Sequence, residues 1–231
     1  MNLLKFFQNL DNIISYILSN EANESKFLRN FFKKKKIILV DAGSNLGGYL
    51  EFIENNFEIN KAYMFEPSRK CISYLIKKLN NQKKYQIIKK GLSNKNKKVN
   101  FFEYNVLSQS SIYKKKNYYN KNLSINKKYQ IKCTSLDKFY IKNKLSVLID
   151  ILKIDCQGED LNILKGSKYL LSKKKIKLIK IEIENNKNMI KIINLLDIMG
   201  YQLVTITKKK FYKEKLFFFD AYFTHTKYLN I

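Results

Sequence analysis

Ile37-Ile38-Leu39-Val40-Asp41-Ala42-Gly43-Ser44-Asn45-Leu46-Gly47-Gly48-Tyr49 is the stretch from which the fold is read. Four apolar residues run into an acid, a glycine-rich turn follows, and an amphipathic segment begins. This is the sequence form of a buried parallel strand, a tight turn and a helix. Glycine lacks the Cβ that would block close approach, so such a turn brings backbone near a ligand. Asp41 to Gly47 spells Asp-x-Gly-x-Asn-x-Gly. It is neither the Gly-x-Gly-x-x-Gly of dinucleotide sites nor a phosphate loop ending in Gly-Lys-Ser/Thr. An acid at the strand end repels a pyrophosphate and suits a cationic ligand.

Outward from this stretch, Lys61 to Phe65 reads as a second strand ending at Glu66-Pro67, since proline has no N–H for a ladder. Ser68 stands where an N-cap belongs, and Cys71, Leu75, Ile76 and Leu79 mark the apolar face of the next helix. Leu46 to Asn56 is the helix before it. Tyr85 to Ile88 is a short third strand with a turn at Gly91. Val99, Phe101 and Phe102 suggest an extended piece, and Ser108 to Lys128 a long, mobile connection rich in Lys, Asn and Tyr. Connections of that length are functional or disordered. Tyr129 to Thr134 is a further strand and Ser135 to Tyr140 a short helix.

Asp150 to Asp155 reads as a buried strand, Gln157-Gly158 as a turn, and Leu161, Ile163, Leu164 and Leu170 as the apolar face of one helix. Ile176 to Glu184 is a strand, and Met189 to Met199 a helix closed by Gly200. Tyr201 to Thr207 and Leu216 to Thr224 form an antiparallel hairpin across a Lys-rich connection. Upstream, Glu21 to Asn30 is a helix and Lys33 to Lys36 a basic turn. Met1 to Asn20 is amphipathic, with Leu3, Phe6, Phe7, Leu10, Ile14 and Ile17 near helical spacing. It packs on the domain or on a dimer partner in preference to a membrane surface. Strands alternating with helices predict an α/β fold, doubly wound on a mostly parallel sheet with a C-terminal antiparallel hairpin. Residues 1–36 form an N-terminal helical cap and residues 37–231 the main domain.

Three further groups carry chemistry. Glu66 ends the second strand, where an acid in doubly wound folds accepts hydrogen bonds from ribose hydroxyls. Lys153 and Asp155 are two apart on a strand and so share a face, placing a cation and a base-capable acid at the ligand edge, unless they serve only as an ion pair. Glu182 and Glu184 end the following strand on one face. Acids thus gather at strand carboxyl ends in a lysine-rich chain, which argues for a cationic ligand. S-adenosylmethionine, with an ammonium and a sulfonium, has that character.

Across 231 residues the chain carries 45 basic side chains against 19 acidic ones. Such charge suggests nucleic acid or an anionic surface. Arg29 and Arg69 are the only arginines, however, and phosphate and base readout favour arginine's planar fork. The lysine excess, with abundant Asn, Ile, Tyr and Phe and a single proline, reads as compositional drift more than as a nucleic-acid surface. Cys71, Cys133 and Cys156 lie far apart and His225 is the only histidine, so neither a disulfide framework nor a metal site is expected. No apolar run approaches the ~18–20 residues of a spanning helix. With no cleavage-site pattern near the start, a cytoplasmic location is expected. Amino-methylation of bases uses an Asp/Asn-Pro-Pro-aromatic turn, and cytosine C5 chemistry a Pro-Cys nucleophile. The chain has neither.

From about Ile37 onward the chain resembles the FkbM family of S-adenosylmethionine-dependent methyltransferases. Val40-Asp41-Ala42-Gly43-Ser44-Asn45-Leu46-Gly47 is similar to the family's Val-Asp-x-Gly-Ala-Asn-x-Gly, and Phe65-Glu66-Pro67 to its Phe-Glu-Pro. Ser135-Leu136-Asp137 resembles its Thr-Leu-Asp, and Lys153-Ile154-Asp155-Cys156-Gln157-Gly158 through Leu164-Lys165-Gly166 its Lys-Ile-Asp-x-Gln/Glu-Gly-x-Glu followed by Leu-x-Gly. Asp160 stands where the family usually has glutamate. The resemblance implies a class I methyltransferase with a seven-stranded sheet, occupying residues 37–231, and O-methylation of sugars, glycans or small metabolites.

The reading of the site is then as follows. Asp41, Gly43, Asn45 and Gly47 hold the methionine end of S-adenosylmethionine, Glu66 the ribose, and Gly91, Leu92 and Ser93 lie near the adenine. Asp155 also lies beside the cofactor and serves as proton acceptor or hydroxyl orienter, and Lys153 offsets developing charge. The alternatives are an RNA ribose methyltransferase, or a non-catalytic polyanion- or RNA-binding protein on the same fold. A small-molecule or glycan partner is expected, with nucleic acid less favoured and a homodimer open.

Overall fold

A computed structural model of the chain describes residues 21–33, 36–80, 82–114, 122–184, 187–212 and 215–229. The expected amphipathic segment Met1 to Asn20 lies outside them, as does the centre of the long connection, residues 115–121. Helix α1 covers 21–31. Then follow β1 (Lys36–Ala42), α2 (Gly48–Glu54), β2 (Glu58–Phe65), α3 (Arg69–Leu79), β3 (Tyr85–Ile88) and β4 (Gly91–Leu92). Next come β5 (Lys97–Tyr104), β6 (Ile125–Thr134), α4 (Leu136–Lys142), β7 (Ile149–Ile154), α5 (Asp160–Lys165) and α6 (Lys168–Ser172). β8 (Ile176–Glu184), α7 (Lys187–Ile198), β9 (Tyr201–Tyr212) and β10 (Lys215–His225) complete the chain.

The main sheet has seven strands in the order β3-β2-β1-β7-β8-β10-β9. β1, β2, β3, β7 and β8 pair in parallel, and β10 runs antiparallel to both β8 and β9. The doubly wound, mostly parallel sheet and its terminal hairpin are therefore as expected. The chain reverses its direction of winding between β1 and β7. A crevice opens there because the following connections depart to opposite faces.

Alternate residues of the central strands fill two separate cores. Val40, Leu152, Ile154, Ile179 and Ile181 pack on one face under α4 to α7. Leu39, Ile151, Leu178 and Tyr222 pack on the other, under Leu28 of α1, Leu50 and Ile53 of α2 and Leu75 of α3. Each such aliphatic side chain contributes about 1.5–3 kcal/mol when fully buried. The near-continuous apolar runs of β1 and β7 thus mark strands covered on both faces.

Several local expectations are corrected. α2 begins at Gly48, because Gly47 takes a left-handed φ of 81° as its cap. The expected turn at Gly91 is a two-residue strand that pairs with β6. The single helix expected across Leu161 to Leu170 breaks into α5 and α6, because Gly166 packs against the Ser93 carbonyl. A Cβ there would lie 2.2 Å from that oxygen. Ile76, expected on the apolar face of α3, is 38% exposed. Lys208 to Lys210, expected in a connection, lie within β9.

The largest difference is between residues 91 and 134. β4, β6 and β5 form a separate three-stranded sheet, and β6 begins at Ile125, inside the stretch expected to be a mobile connection. Phe101, Ile131 and Cys133 give that sheet a small core of its own. Its strands break the alternation of strand with helix on which the sequence reading relied.

Candidate active site

Strand register builds the site. Asp41 of β1 lies beside Lys153 of β7, Lys153 beside Lys180 of β8, and Lys180 beside Tyr222 of β10. Residues two further along a strand share its face. The next row toward the carboxyl edge is therefore Asp155, Glu182 and Asp220, with Glu182 directly opposite Asp220.

The turn after β1 is held by its neighbours. Gly43 and Ser44 N–H both donate to the Phe65 carbonyl, at 3.0 and 3.2 Å. Asp155 N–H donates to Ala42 O at 3.1 Å. Gly43 has φ 79°, and a Cβ there would lie 2.1 Å from the Asp155 carbonyl oxygen. The glycine therefore lets the β1 turn and the β7 turn touch. Asn45 sits at φ 48°, a conformation asparagine tolerates better than most residues.

Two clefts flank this junction. The first, of about 690 Å³, is lined by Gly43, Asn45, Glu66, Gly91, Leu92 and Asp155 among others. Phe65, Phe101 and Ile131 give it apolar walls, and Cys71, Cys133 and Cys156 all reach it. Burial pushes the Cys71 and Cys133 thiols up to about 11, so both line the cleft as neutral groups.

Glu66 is 5% exposed and joins the two halves of the cleft. Its Oε2 accepts from Asn45 N–H and its Oε1 from Ser68 N–H, both at 2.7 Å. A carboxylate oxygen has a second lone pair, so each can also accept from a ligand hydroxyl. Burial raises its pKa to about 7, against the two backbone donors, which lower it.

The second cleft, of about 1090 Å³, opens on the other side of Gly43, Asn45 and Asp155. Tyr49, Phe52 and Phe218 line it together with Lys153, Lys180, Glu182, Lys208 and Asp220. Lys153 donates to Gly43 O at 2.7 Å and pairs with Asp41 Oδ1 at 3.1 Å and Asp155 Oδ2 at 3.5 Å. Burial alone would lower its pKa, but the Asp41 and Asp155 carboxylates outweigh it and raise the value. Lys180 pairs with Asp220 and with Glu24 of α1, and Lys208 lies 3.4 Å from Glu24 and 3.6 Å from Asp220. Asp41 Oδ2 is buried with no hydrogen-bond partner among the described residues.

Asp155 keeps its side chain 37% exposed at the junction of the clefts. Burial would raise its pKa, yet the Lys153 ammonium and hydrogen bonds from Glu182 and Gln157 hold it down at about 2. It is an ionised acceptor at every physiological pH. Asp160 accepts from Cys156 N–H at 3.0 Å and Gly158 N–H at 3.1 Å, which fixes the turn carrying Asp155.

A strap roofs the first cleft. Leu107, Ser108, Ser110, Ser111 and Ile112 line it from above. Ser111 Oγ donates to Gln157 O at 3.0 Å, and Tyr113 OH donates to Glu159 Oε2 at 2.6 Å. Glu159 also accepts from Ser93 Oγ, from Lys97 Nζ at 2.9 Å and from Asn162 Nδ2 at 3.2 Å.

Of the residues singled out in the sequence, Gly43, Asn45, Glu66, Gly91, Leu92 and Asp155 face the first cleft, and Lys153 the second. Asp41, Gly47 and Ser93 stand behind the walls. Asp41 is fully buried against Lys153, Gly47 turns toward Leu75, and Ser93 directs its hydroxyl to Glu159. The stretch from Ser108, expected to cover the acceptor side, lines the first cleft through Ser108, Ser110, Ser111 and Ile112. The three thiols and the ion pairs of Lys180 and Lys208 were not foreseen. Glu182 was noted only as an acidic strand end. Parallel register was the one signal that would have set it beside Asp155.

Residues 41–203 match the family model of the methyltransferase FkbM domain. Among solved structures, a methyltransferase FkbM from Methylobacillus flagellatus superposes with a TM-score of 0.55 at 15% identity, over 82% of this chain and 44% of that one. The chain thus spans less than half the length of that protein. An rRNA methylase from Streptococcus thermophilus gives 0.47 at 12% identity, over 87% of this chain and 93% of that one. TrmK of M. capricolum, solved with S-adenosyl-homocysteine, gives 0.46 at 12% identity, over 84% and 64%. At such identities the likeness concerns the fold, which is that of class I methyltransferases. No curated protein matches the chain significantly.

Proposed function

Because the chain belongs to the methyltransferase FkbM domain family, we propose that it is an S-adenosylmethionine-dependent O-methyltransferase acting on an uncharged hydroxyl of a sugar, glycan or other small metabolite. One observation carries the reading: two clefts meet at a shared wall of Gly43, Asn45 and Asp155. A donor in the first and an acceptor in the second would face each other across an ionised carboxylate.

The residues fit such a cofactor. Glu66 has lone pairs left for two ribose hydroxyls, and Asp41 adds a buried carboxylate with an unused oxygen behind the turn. In this reading Gly43 and Asn45 hold the methionine end, with Asp41 and Gly47 shaping their turn from behind, Glu66 holds the ribose, and Gly91 and Leu92 the adenine side, with Ser93 supporting them. When bound, S-adenosylmethionine supplies a methyl group already activated by sulfonium charge. The chain's own work is to orient the acceptor and exclude water, where much of a transfer's rate arises. Asp155 accepts the acceptor's proton. That proton becomes strongly acidic as the new C–O bond forms, so a carboxylate held at about 2 still suffices. Lys153 keeps Asp155 ionised and aimed.

The charge pattern favours an uncharged acceptor over RNA. Lys153, Lys180 and Lys208 on the wall of the second cleft each face carboxylates within 4 Å, so none of them is spare for a phosphate. The experiment is calorimetric titration of S-adenosylmethionine into the purified protein. One-site binding is expected, with loss in Asp41→Ala and in Glu66→Ala. Unchanged affinity in both variants would overturn the cofactor site.

A further inference from the structure

The second cleft contains a carboxyl that the proposed reaction has not yet used. β7, β8 and β10 lie side by side, and their register lines up Asp155, Glu182 and Asp220 on one face at the edge of the cleft. Adjacent strands are only ~4.8 Å apart, so three ionised carboxylates in such a row repel strongly. The neighbouring ammonium groups relieve the ends of the row. Lys153 pairs with Asp155, and Lys180 with Asp220. No cation is paired with Glu182 among the described ion pairs. Gln157 Nε2 instead donates to Glu182 Oε2 at 3.0 Å and to Asp155 Oδ1 at 3.2 Å, tying the two carboxyls together. Gln157 does this from φ 51°, a strained backbone for a non-glycine residue and one that the surrounding turn must enforce. Among the described residues no three His, Cys, Asp or Glu side chains converge as metal ligands.

We propose that Glu182 is a positioning residue that acts through Asp155: a neutral carboxyl that donates a hydrogen bond to Asp155, keeps its own proton, and leaves Asp155 the single, aimed anion that receives the acceptor's proton. The inference rests on the methyltransferase reading for its chemistry, but its electrostatic core does not. In the step, the acceptor hydroxyl oxygen gives an electron pair to the methyl carbon. The pair of the breaking carbon–sulfur bond stays on sulfur, and the hydroxyl proton passes to Asp155. Asp155 then returns that proton to solvent through the open cleft, and Glu182 ends the cycle as it began, protonated.

The groups around Glu182 agree. Burial, then Asp155, Asp220 and Asp160, push its pKa up to about 10. Lys153 of β7, Lys180 on its own strand and Lys208 of β9 are the nearby cations, and each already faces another carboxylate. The raised value means that Glu182 holds its proton below about 10 and ionises only above it. A doubly charged Asp155–Glu182 pair would then lose its hydrogen bond and its fixed geometry.

The test has two arms. In the first, infrared difference spectra compare protein carrying carboxyl-labelled glutamate with its Glu182→Gln variant, near neutral pH and without ligands. A protonated-carboxyl carbonyl band is expected in the native protein and absent in the variant. No difference in that band would overturn the proposal, whatever the protein's reaction. In the second, single-turnover methyl transfer is followed alongside cofactor binding. Glu182→Gln, which keeps a neutral donor, is expected within about threefold of native rate, and Glu182→Ala about 100-fold slower. Both should bind S-adenosylmethionine as the native protein does. The native rate should fall as pH rises through about 10, and the Gln variant should lack that fall. A Gln variant as slow as the Ala variant, or an Ala variant at native rate, would overturn the role. Absence of methyl transfer in the native protein would overturn the enzyme reading and the role in transfer, while the infrared arm still decides the proton's place.

Discussion

Glu66 is the residue whose chemistry is most exposed to solution conditions. Its pKa in the fold is raised to about 7 by burial, from an ordinary value near 4.5. The folded protein therefore takes up a proton as pH falls through 7, while the unfolded chain does so lower. Folding stability from this group is fully present below the unfolded value and is lost between about 4.5 and 7 as pH rises. Cofactor binding has the opposite sign, since ribose hydroxyls need the ionised acceptor. Affinity for S-adenosylmethionine should weaken about tenfold for one pH unit below the midpoint near 7, and Glu66→Gln should flatten the profile. Calorimetry across that range reads it. Gly43 makes a structural prediction. Alanine there meets the Asp155 carbonyl at 2.1 Å in a left-handed backbone, so Gly43→Ala should cost about 3 kcal/mol or more in denaturant unfolding. The glycine motif was legible in the sequence, but its cause was not. Gly43 is required by the neighbouring turn as much as by a ligand. Asp160 likewise serves two backbone N–H groups, a role that its shorter side chain fills.

Among elements, the strap lining the first cleft is tied to the turn after β7. Only Ser111 and Tyr113 hydrogen-bond it to the Gln157–Glu159 turn in the contacts described. Tyr113→Phe removes the bond to Glu159, and one half-exposed hydrogen bond contributes about 1 kcal/mol. Cofactor release, followed by stopped flow, should therefore quicken about fivefold. The parallel strands and the terminal hairpin were readable because buried strands are continuous apolar runs and hairpin strands flank a polar connection. The three-stranded sheet of β4, β5 and β6 was not. β6 opens with Ile125-Asn126-Lys127-Lys128, whose polar side chains give no strand signal, and its pairing with β5 is a tertiary choice. Ser135-Leu136-Asp137 was seen as a motif but not as a tie. Ser135 Oγ caps α4 through Lys138 N–H, and Asp137 accepts from Tyr169 and Leu170 N–H at the start of α6.

At the scale of the whole molecule, the chain's few acids are concentrated where the strands end. Against 45 basic residues stand 19 acidic ones, and Asp41, Glu66, Asp155, Glu182 and Asp220 lie along the carboxyl edge of one sheet. α1 reaches the same edge. Glu24, fully buried, accepts from Tyr222 and pairs with Lys180 and Lys208. Glu24→Ala would leave two ammonium groups short of a partner, and removing one member of a buried ion network costs about 3–5 kcal/mol. Chemical unfolding should show that loss, without a change in the order of the strands. The sequence placed α1 as a helix but gave no sign that Glu24 belonged to the site's electrostatics, because the partners lie about 150 residues or more further along. The same long-range pairing supports the proposed acceptor class, since Lys153, Lys180 and Lys208 of the second cleft already face carboxylates. The most direct measurement is methyl transfer from isotope-labelled S-adenosylmethionine into a fractionated lysate, resolved into glycan, small-molecule and RNA pools. Label in the glycan or small-molecule pool, lost with Asp155→Asn, is the predicted result. Label confined to RNA, or none in any pool from protein that binds the cofactor, would contradict the account.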